Sequence, residues 1–316
     1  MPEFELHQHI YRSNRDLPAG ARVLIPPGDD MAMVRFSGTE ILAAVDQVVE
    51  GRHYRQGVTP IELVGRKAMT RCLSDAAAMA VRPVCALAAC VLPHGYPDER
   101  AKQLFDAMRK TADQYESPLV GGDIAFQAGA HDPLVCSVTI LAEPWSEQLS
   151  PVTRGGAKVG DSIYVTGALG GSVGDDGLGK HLTFEPRIEL GRLLREILGD
   201  RLHAMIDISD GLGRDAGHIA ELSGVRIEID AAKIPCNQGC DWRSAVGEGE
   251  DYELCFAASG DVPNELMGIP ITHIGAVVGG WPGFAAERPD DPASWRIVVR
   301  GGSQLFNAST LGWEHQ

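Results

Sequence analysis

Eight acidic residues sit inside five short motifs containing glycine or serine, and any fold this chain adopts must accommodate them. The motifs are Gly28-Asp29-Asp30, Leu73-Ser74-Asp75, Gly121-Gly122-Asp123, Ile206-Asp207-Ile208-Ser209-Asp210-Gly211 and Gly249-Glu250-Asp251. Asp46, inside the apolar run Ile41 to Val49, is a ninth. Small, partly apolar neighbours are poor surroundings for a solvated surface charge, and a carboxylate buried without a partner is costly. Several such carboxylates gathered together call for hard cations held by oxygen ligands. Divalent ions in an acidic protein suit a polyphosphate substrate, so the motifs point to magnesium-dependent phosphoryl transfer.

The chain has 316 residues, long for one core, and two domains are expected. Its net charge of −15 opposes binding to a nucleic-acid backbone or an anionic membrane, and no basic patch offsets it. The longest uncharged apolar run, Pro83 to Pro93, is too short to span a bilayer. Met1-Pro2-Glu3-Phe4-Glu5 has neither the basic nor the apolar region of a secretory leader, so a cytoplasmic location is expected. Seven cysteines at irregular spacing fit reduced thiols in that compartment. Cys236 and Cys240 form a lone C-x-x-x-C, which does not make a zinc site.

Apolar patterning predicts strands at residues 31–34 and 41–49 around Ser37-Gly38-Thr39. Thr59-Pro60-Ile61-Glu62 then reads as an N-cap, a proline at the first helical position and a capping-box glutamate. The helix it opens runs to about Met79 and carries Asp75 near its end. A strand at 84–92, a helix at 98–114 and a strand at 134–141 follow, with Leu119-Val120 leading into Gly121-Gly122-Asp123. The polar, proline-bounded stretch Pro144 to Pro151 divides the chain into residues 1–147 and 148–316. Beyond it, strands are expected at 162–166, 204–208, 225–229, 253–256, 271–277 and 296–299, and helices at 186–198 and 213–222. The fold class is α/β or α+β, two sheets layered by helices.

Two glycine-rich stretches imitate nucleotide motifs. Gly174 to Lys180 has the outline of a phosphate-binding loop, but His181 stands where Ser or Thr should meet magnesium. It is expected to be a turn entering a helix. Gly211-Leu212-Gly213-Arg214-Asp215-Ala216 follows a strand and precedes Asp230, as a dinucleotide fingerprint would. Asp207, Ser209 and Asp210 crowd the turn where a pyrophosphate would sit, which argues against that use.

In their order and local sequence, the acidic motifs resemble thiamine-monophosphate kinase, of the aminoimidazole ribonucleotide synthetase-like superfamily. The resemblance extends through Ala76-Ala77-Ala78-Met79, Thr153 to Asp161, Pro186-Arg187-Ile188 and Tyr252-Glu253-Leu254-Cys255-Phe256. It implies a two-domain fold: an N-terminal domain, 1–147, that binds ATP and magnesium and pairs its sheet across a homodimer, and a C-terminal α/β domain, 148–316. It implies ATP-dependent phosphorylation of thiamine monophosphate, with several magnesium ions held by Asp30, Asp46, Asp75, Asp123, Asp207 and Asp210. Gly122, Asp123, Arg154 and Ser209 fall at nucleotide positions, and His53, Glu250 and Trp313 at positions facing the thiamine phosphate. Asp210 and Arg154 are the expected catalytic pair. The chain departs from the family pattern at Ala44-Val45-Asp46-Gln47 and at Ile124, where hydroxyl side chains are usual. A relative acting on another acceptor, or a nucleotide-binding protein with reduced turnover, is the alternative.

Overall fold

The computed structural model describes residues 22–26, 28–283, 287–288, 290–308 and 311–312. Six strands make a first sheet: β1 (Val23–Ile25), β2 (Ala32–Phe36), β3 (Thr39–Val49), β4 (Val81–Leu92), β5 (Leu119–Phe126) and β6 (Val135–Pro144). Their order is β1-β2-β3-β6-β4-β5. Only β4 and β5 run parallel, joined through a helix as a crossover connection requires. Among the described residues, the helices of this half are α1 (Ile61–Ala78) and α2 (Asp98–Gln114).

Where α1 begins differs from expectation. Pro60 is the N-cap and has no side-chain capping bond. The Thr59 hydroxyl instead accepts the Arg55 N–H, closing the preceding turn, and is thereby used up. Strand β4 also starts earlier than the expected residue 84, running back through Pro83 to Val81. Pairing with β5 starts only at Ala86, so the missing proline N–H leaves no gap on that side.

The second sheet takes β7 (Ser162–Thr166), β8 (Leu202–Asp207), β9 (Val225–Asp230), β10 (Leu254–Ala258), β12 (Ile269–Gly280), β13 (Ile297–Gly301) and β14 (Gln304–Asn307), with the short β11 (Glu265–Leu266) paired to β12. Its order is β14-β13-β9-β12-β7-β10-β8. The helices here are α3 (Lys180–Thr183), α4 (Ile188–Leu198), α5 (Leu212–Ser223) and α6 (Trp242–Gly247).

Alternation along the second sheet sends successive side chains into two cores. Ile163, Val165 and Ile206 pack with Leu212, Ala216 and Ile219 of α5. Met205, Leu254 and Phe256 face the other way, into a core shared with α1, α2, α4 and the first sheet. Burial on both faces is why these strands are nearly continuous apolar runs. Helix α1 lies in that shared core and is buried almost all round, from Val64 and Met69 to Ala76, Ala77 and Ala78. Close approach on both flanks requires glycine. A Cβ at Gly65 would stand 2.6 Å from the Leu104 carbonyl oxygen of α2, and one at Gly191 of α4 only 2.3 Å from that of Ala77.

The face of the first sheet turned away from α1 carries Val45 and Leu87 exposed. At its edge β5 is exposed along most of its length, including Val120, Ile124 and Phe126.

Candidate active site

The carboxylates come together where the shared core meets the ends of β1, α1 and β8. One oxygen from each of Asp30, Asp75 and Asp207 lies within 4.8 Å of the others. Oxygens ligating one divalent ion on opposite sides are about 4–5 Å apart, so the spacing fits a shared cation. Asp30 Oδ1 accepts from the Arg154 guanidinium at 2.7 Å, while its Oδ2 is buried without a hydrogen-bond partner. That oxygen is free to serve as a ligand, and the acidic, all-oxygen donor set is of the kind that suits a hard cation. Asp207 Oδ2 accepts the Ser74 hydroxyl at 2.6 Å, which fixes its rotamer.

The titration behaviour shows how poorly the cluster tolerates its own charge. Burial, then the adjacent negative charges of Asp46, Asp207 and Asp30, pushes the Asp75 carboxyl well above its ordinary range. Burial, and next Asp30, raises Asp207 to about 7. Asp29 is raised to about 7 for the same two reasons, although it accepts the Arg154 N–H at 3.1 Å. A bound cation removes the repulsion.

The remaining residues singled out in the sequence fall at several distances from this centre. Asp46 faces α1 from β3 and lies 3.7 Å from the Arg71 guanidinium. Register places Asp46 opposite Val138, then Ala88, then Gly122, so Gly122 shares its face of the sheet. A Cβ at Gly122 would meet the Ala88 carbonyl oxygen at 1.8 Å, so strand packing by itself demands glycine there. Asp123 pairs with Ala89 and therefore points to the opposite face, outside the carboxylate trio. Ser209 and Asp210 form the loop after β8. Trp313 lies outside the described residues.

Asp215, unassigned in the sequence, holds that loop. From the first turn of α5 its buried carboxylate accepts the N–H groups of both Ser209, at 2.9 Å, and Asp210, at 3.0 Å. Those are donors a pyrophosphate would need, so the Gly211 to Ala216 stretch serves another purpose. Ser74 and Arg71, given no role in the sequence, also serve the site; they precede Asp75 on α1 by one and four residues, which is the available signal.

Gly249 to Glu253 splits its acids among three tasks. Glu250 and Tyr252 adopt left-handed backbone, φ 68° and 51°, while their N–H groups bond Ser209 and Ile208 carbonyls at 2.7 and 2.8 Å. Such strain persists only where the surroundings impose it. Asp251 accepts the Gly170 N–H and the Ser172 hydroxyl, strapping the glycine loop. Glu253 receives Arg187 at 2.6 and 2.8 Å, Lys180 at 3.0 Å and Thr166 at 2.8 Å. Lys180 is thus committed to a structural ion pair, and the Gly174 to Lys180 stretch is a turn entering the short α3, as expected.

Glu250 opens onto a cavity of about 510 Å³ shared with Arg52, His53, Arg55, Asp175 and His181. The His53 Nδ1 accepts the Val49 N–H at 2.9 Å, so the neutral ring carries its hydrogen on Nε2. The Glu250-to-Ser209 backbone bond ties this cavity to the loop that follows Asp207.

Residues 28–177 match the family model described as AIR synthase related protein, N-terminal domain. The chain is 33% identical over 287 residues to the thiamine-monophosphate kinase of Rhodopirellula baltica, covering 84% of this chain and 86% of that one. The chain belongs to the thiamine-monophosphate kinase family. The Escherichia coli thiamine-monophosphate kinase is 31% identical over 302 residues, with 84% and 88% covered. Among solved structures, AaThiL complexed with AMPPCP and TMP superposes with a TM-score of 0.77 at 26% identity, over 100% of this chain and 97% of that one. The two-sheet α/β fold described above is the family's fold.

Proposed function

We propose that this chain transfers the γ-phosphoryl group of ATP to the phosphate of thiamine monophosphate, giving thiamine diphosphate and ADP. The observation that carries the reading is the Asp30, Asp75 and Asp207 cluster beside the Glu250 and His53 cavity. Support comes from relatives named for this activity at 31–33% identity.

An oxygen of the acceptor phosphate forms the new bond to the γ-phosphorus as the β–γ bridging bond breaks and ADP departs. The acceptor is already largely ionised at neutral pH, its second pKa being about 6, so no general base is required. In keeping with this, Lys67 and His181 are engaged with each other and Lys67 also with the His53 carbonyl oxygen. Asp30, Asp46, Asp75, Asp207 and Asp210 are assigned to holding magnesium; Asp123, on the opposite face of β5, stands apart from that set. Bound magnesium supplies neutralisation of the phosphate charge. Gly122 and Ser209 are assigned to the nucleotide, and His53, Glu250 and Trp313 to the thiamine phosphate. Arg154, which fixes Asp30, and Asp210 are assigned to the transferring phosphoryl group.

The division into 1–147 and 148–316 accompanies this reading, with the carboxylates drawn from both parts. So does a homodimer formed through the first sheet, whose Val45 and Leu87 are otherwise bare. All seven cysteines are free, as a reducing cytoplasm maintains them. Among the described residues no helix is long and apolar enough to cross a membrane.

Steady-state ADP release with and without thiamine monophosphate, together with mass detection of thiamine diphosphate, tests the proposal. Acceptor-independent ADP release, or none at all with ATP bound, refutes it.

A further inference from the structure

Three separate segments wall the cavity: residues 51–55, 173–181 and 247–250. Beneath them lies Lys67 of α1, with 0% of its surface exposed. An ammonium taken wholly out of water is costly unless each N–H finds an acceptor. Here each wall provides one. Lys67 Nζ lies 2.8 Å from the His53 carbonyl oxygen, 2.7 Å from His181 Nδ1 and 2.5 Å from Glu250 Oε2. With three donors and three acceptors, the ammonium is satisfied.

The arrangement also settles the His181 tautomer. Its Nδ1 accepts from Lys67, so Nε2 carries the hydrogen and meets the Gly177 carbonyl oxygen at 3.3 Å, fastening a second residue of the same wall. Burial alone would raise the Glu250 carboxyl. The Lys67 charge, with that of Arg71, instead holds it well below its ordinary range, so it stays an anion at the cavity wall.

We propose that Lys67 is the positioning residue of the acceptor pocket, one buried ammonium setting the mutual placement of His53, His181 and Glu250. Stability does not explain such a group. Replacing a buried ion pair by an apolar side chain of similar volume is often neutral or stabilising, and Lys67 stands on α1 among the buried residues Val64 and Ala68. Its neighbours Ala68 and Met69 show that apolar side chains pack readily here. The charge stands at a point of α1 that all three walls reach.

This inference rests on the assignment of the cavity to thiamine monophosphate. The test compares Lys67→Met, which keeps length and loses the donors, with the unmodified protein, measuring kcat and KM for each substrate. KM for thiamine monophosphate should rise on the order of tenfold to a hundredfold, as for loss of substrate positioning, with KM for ATP nearly unchanged. Combined with Glu250→Gln, the Lys67→Met change should cost much less than it does alone, because the two act as a unit. If Lys67→Met fails to fold, Lys67→Gln, which keeps a donor, takes the same measurements. An unmoved KM for thiamine monophosphate, or equal rises for both substrates, overturns the inference. If the unmodified protein does not phosphorylate thiamine monophosphate, the cavity assignment fails and the inference with it; turnover with an unmoved KM refutes the inference alone.

Discussion

Magnesium binding to this protein should expel a proton from Asp207 at pH 6 and almost none from that group at pH 8.5. The Asp207 carboxyl is raised from 3.8 to about 7, so at pH 6 roughly ten molecules carry its proton for each that does not. Ligation requires the ionised form, and binding therefore releases about one proton from Asp207. Asp75, raised by burial and by the same neighbours, adds to that release. Each proton displaced steepens the affinity by about tenfold, or about 1.4 kcal/mol, per pH unit below 7. Calorimetric titration of Mg²⁺ in two buffers of different ionisation enthalpy counts the protons directly, and Asp207→Asn should lower the count by about one. Equal heats in both buffers at pH 6 would falsify the claim that these carboxylates share a cation. The metal-free protein provides a second check. A carboxyl whose pKa is higher folded than unfolded binds its proton preferentially when folded, so this group's contribution to stability is lost as pH rises from about 4 to about 7. Glu250 runs the other way. Its depressed pKa contributes stability above its ordinary 4.5 that disappears as pH falls through the folded value.

Asp75→Asn and Asp210→Asn should each weaken ATP binding in the presence of magnesium and nearly abolish turnover while the fold survives; calorimetry showing unchanged ATP affinity in both would count against the site. The protein should sediment as a dimer at micromolar concentration, and Val45→Lys with Leu87→Lys on the bare face of the first sheet should yield monomers. A monomeric unmodified protein would rule that interface out. Gly65→Ala places a Cβ 2.6 Å from the Leu104 carbonyl oxygen and should cost about 1–3 kcal/mol as α2 is pushed off α1. An unaltered Tm would mean that the helices separate freely.

What could be read from the sequence depended on whether one segment held its own explanation. Helices α1 and α2 announce themselves through apolar spacing and a first-turn acid, and strands β8 and β10 through largely apolar runs. Strand β5 gives no such sign: nearly all its residues are exposed, two are glycines, and only its pairing with β4 makes it a strand. The Thr59 cap failed for a related reason, since the Arg55 N–H claims the same hydroxyl. The carboxylate centre was legible because several acids in small, apolar surroundings need compensation, which a cation can supply, whichever fold collects them. Which acids belong to it was less so. Glu250, Asp251 and Glu253 look alike in sequence, yet they face Lys67, the Gly170 N–H and Arg187 respectively. Left-handed backbone at Glu250 and Tyr252 sorts them, and it is held by bonds to residues 208 and 209, some forty positions away in the chain. Asp123 shows the converse limit. Its motif reads like a ligand, but strand alternation turns it away from the trio, so any part it plays in binding must come through the bare face of the first sheet. The same face is the one a second protomer would cover, which makes the oligomeric state and the role of Asp123 a single question.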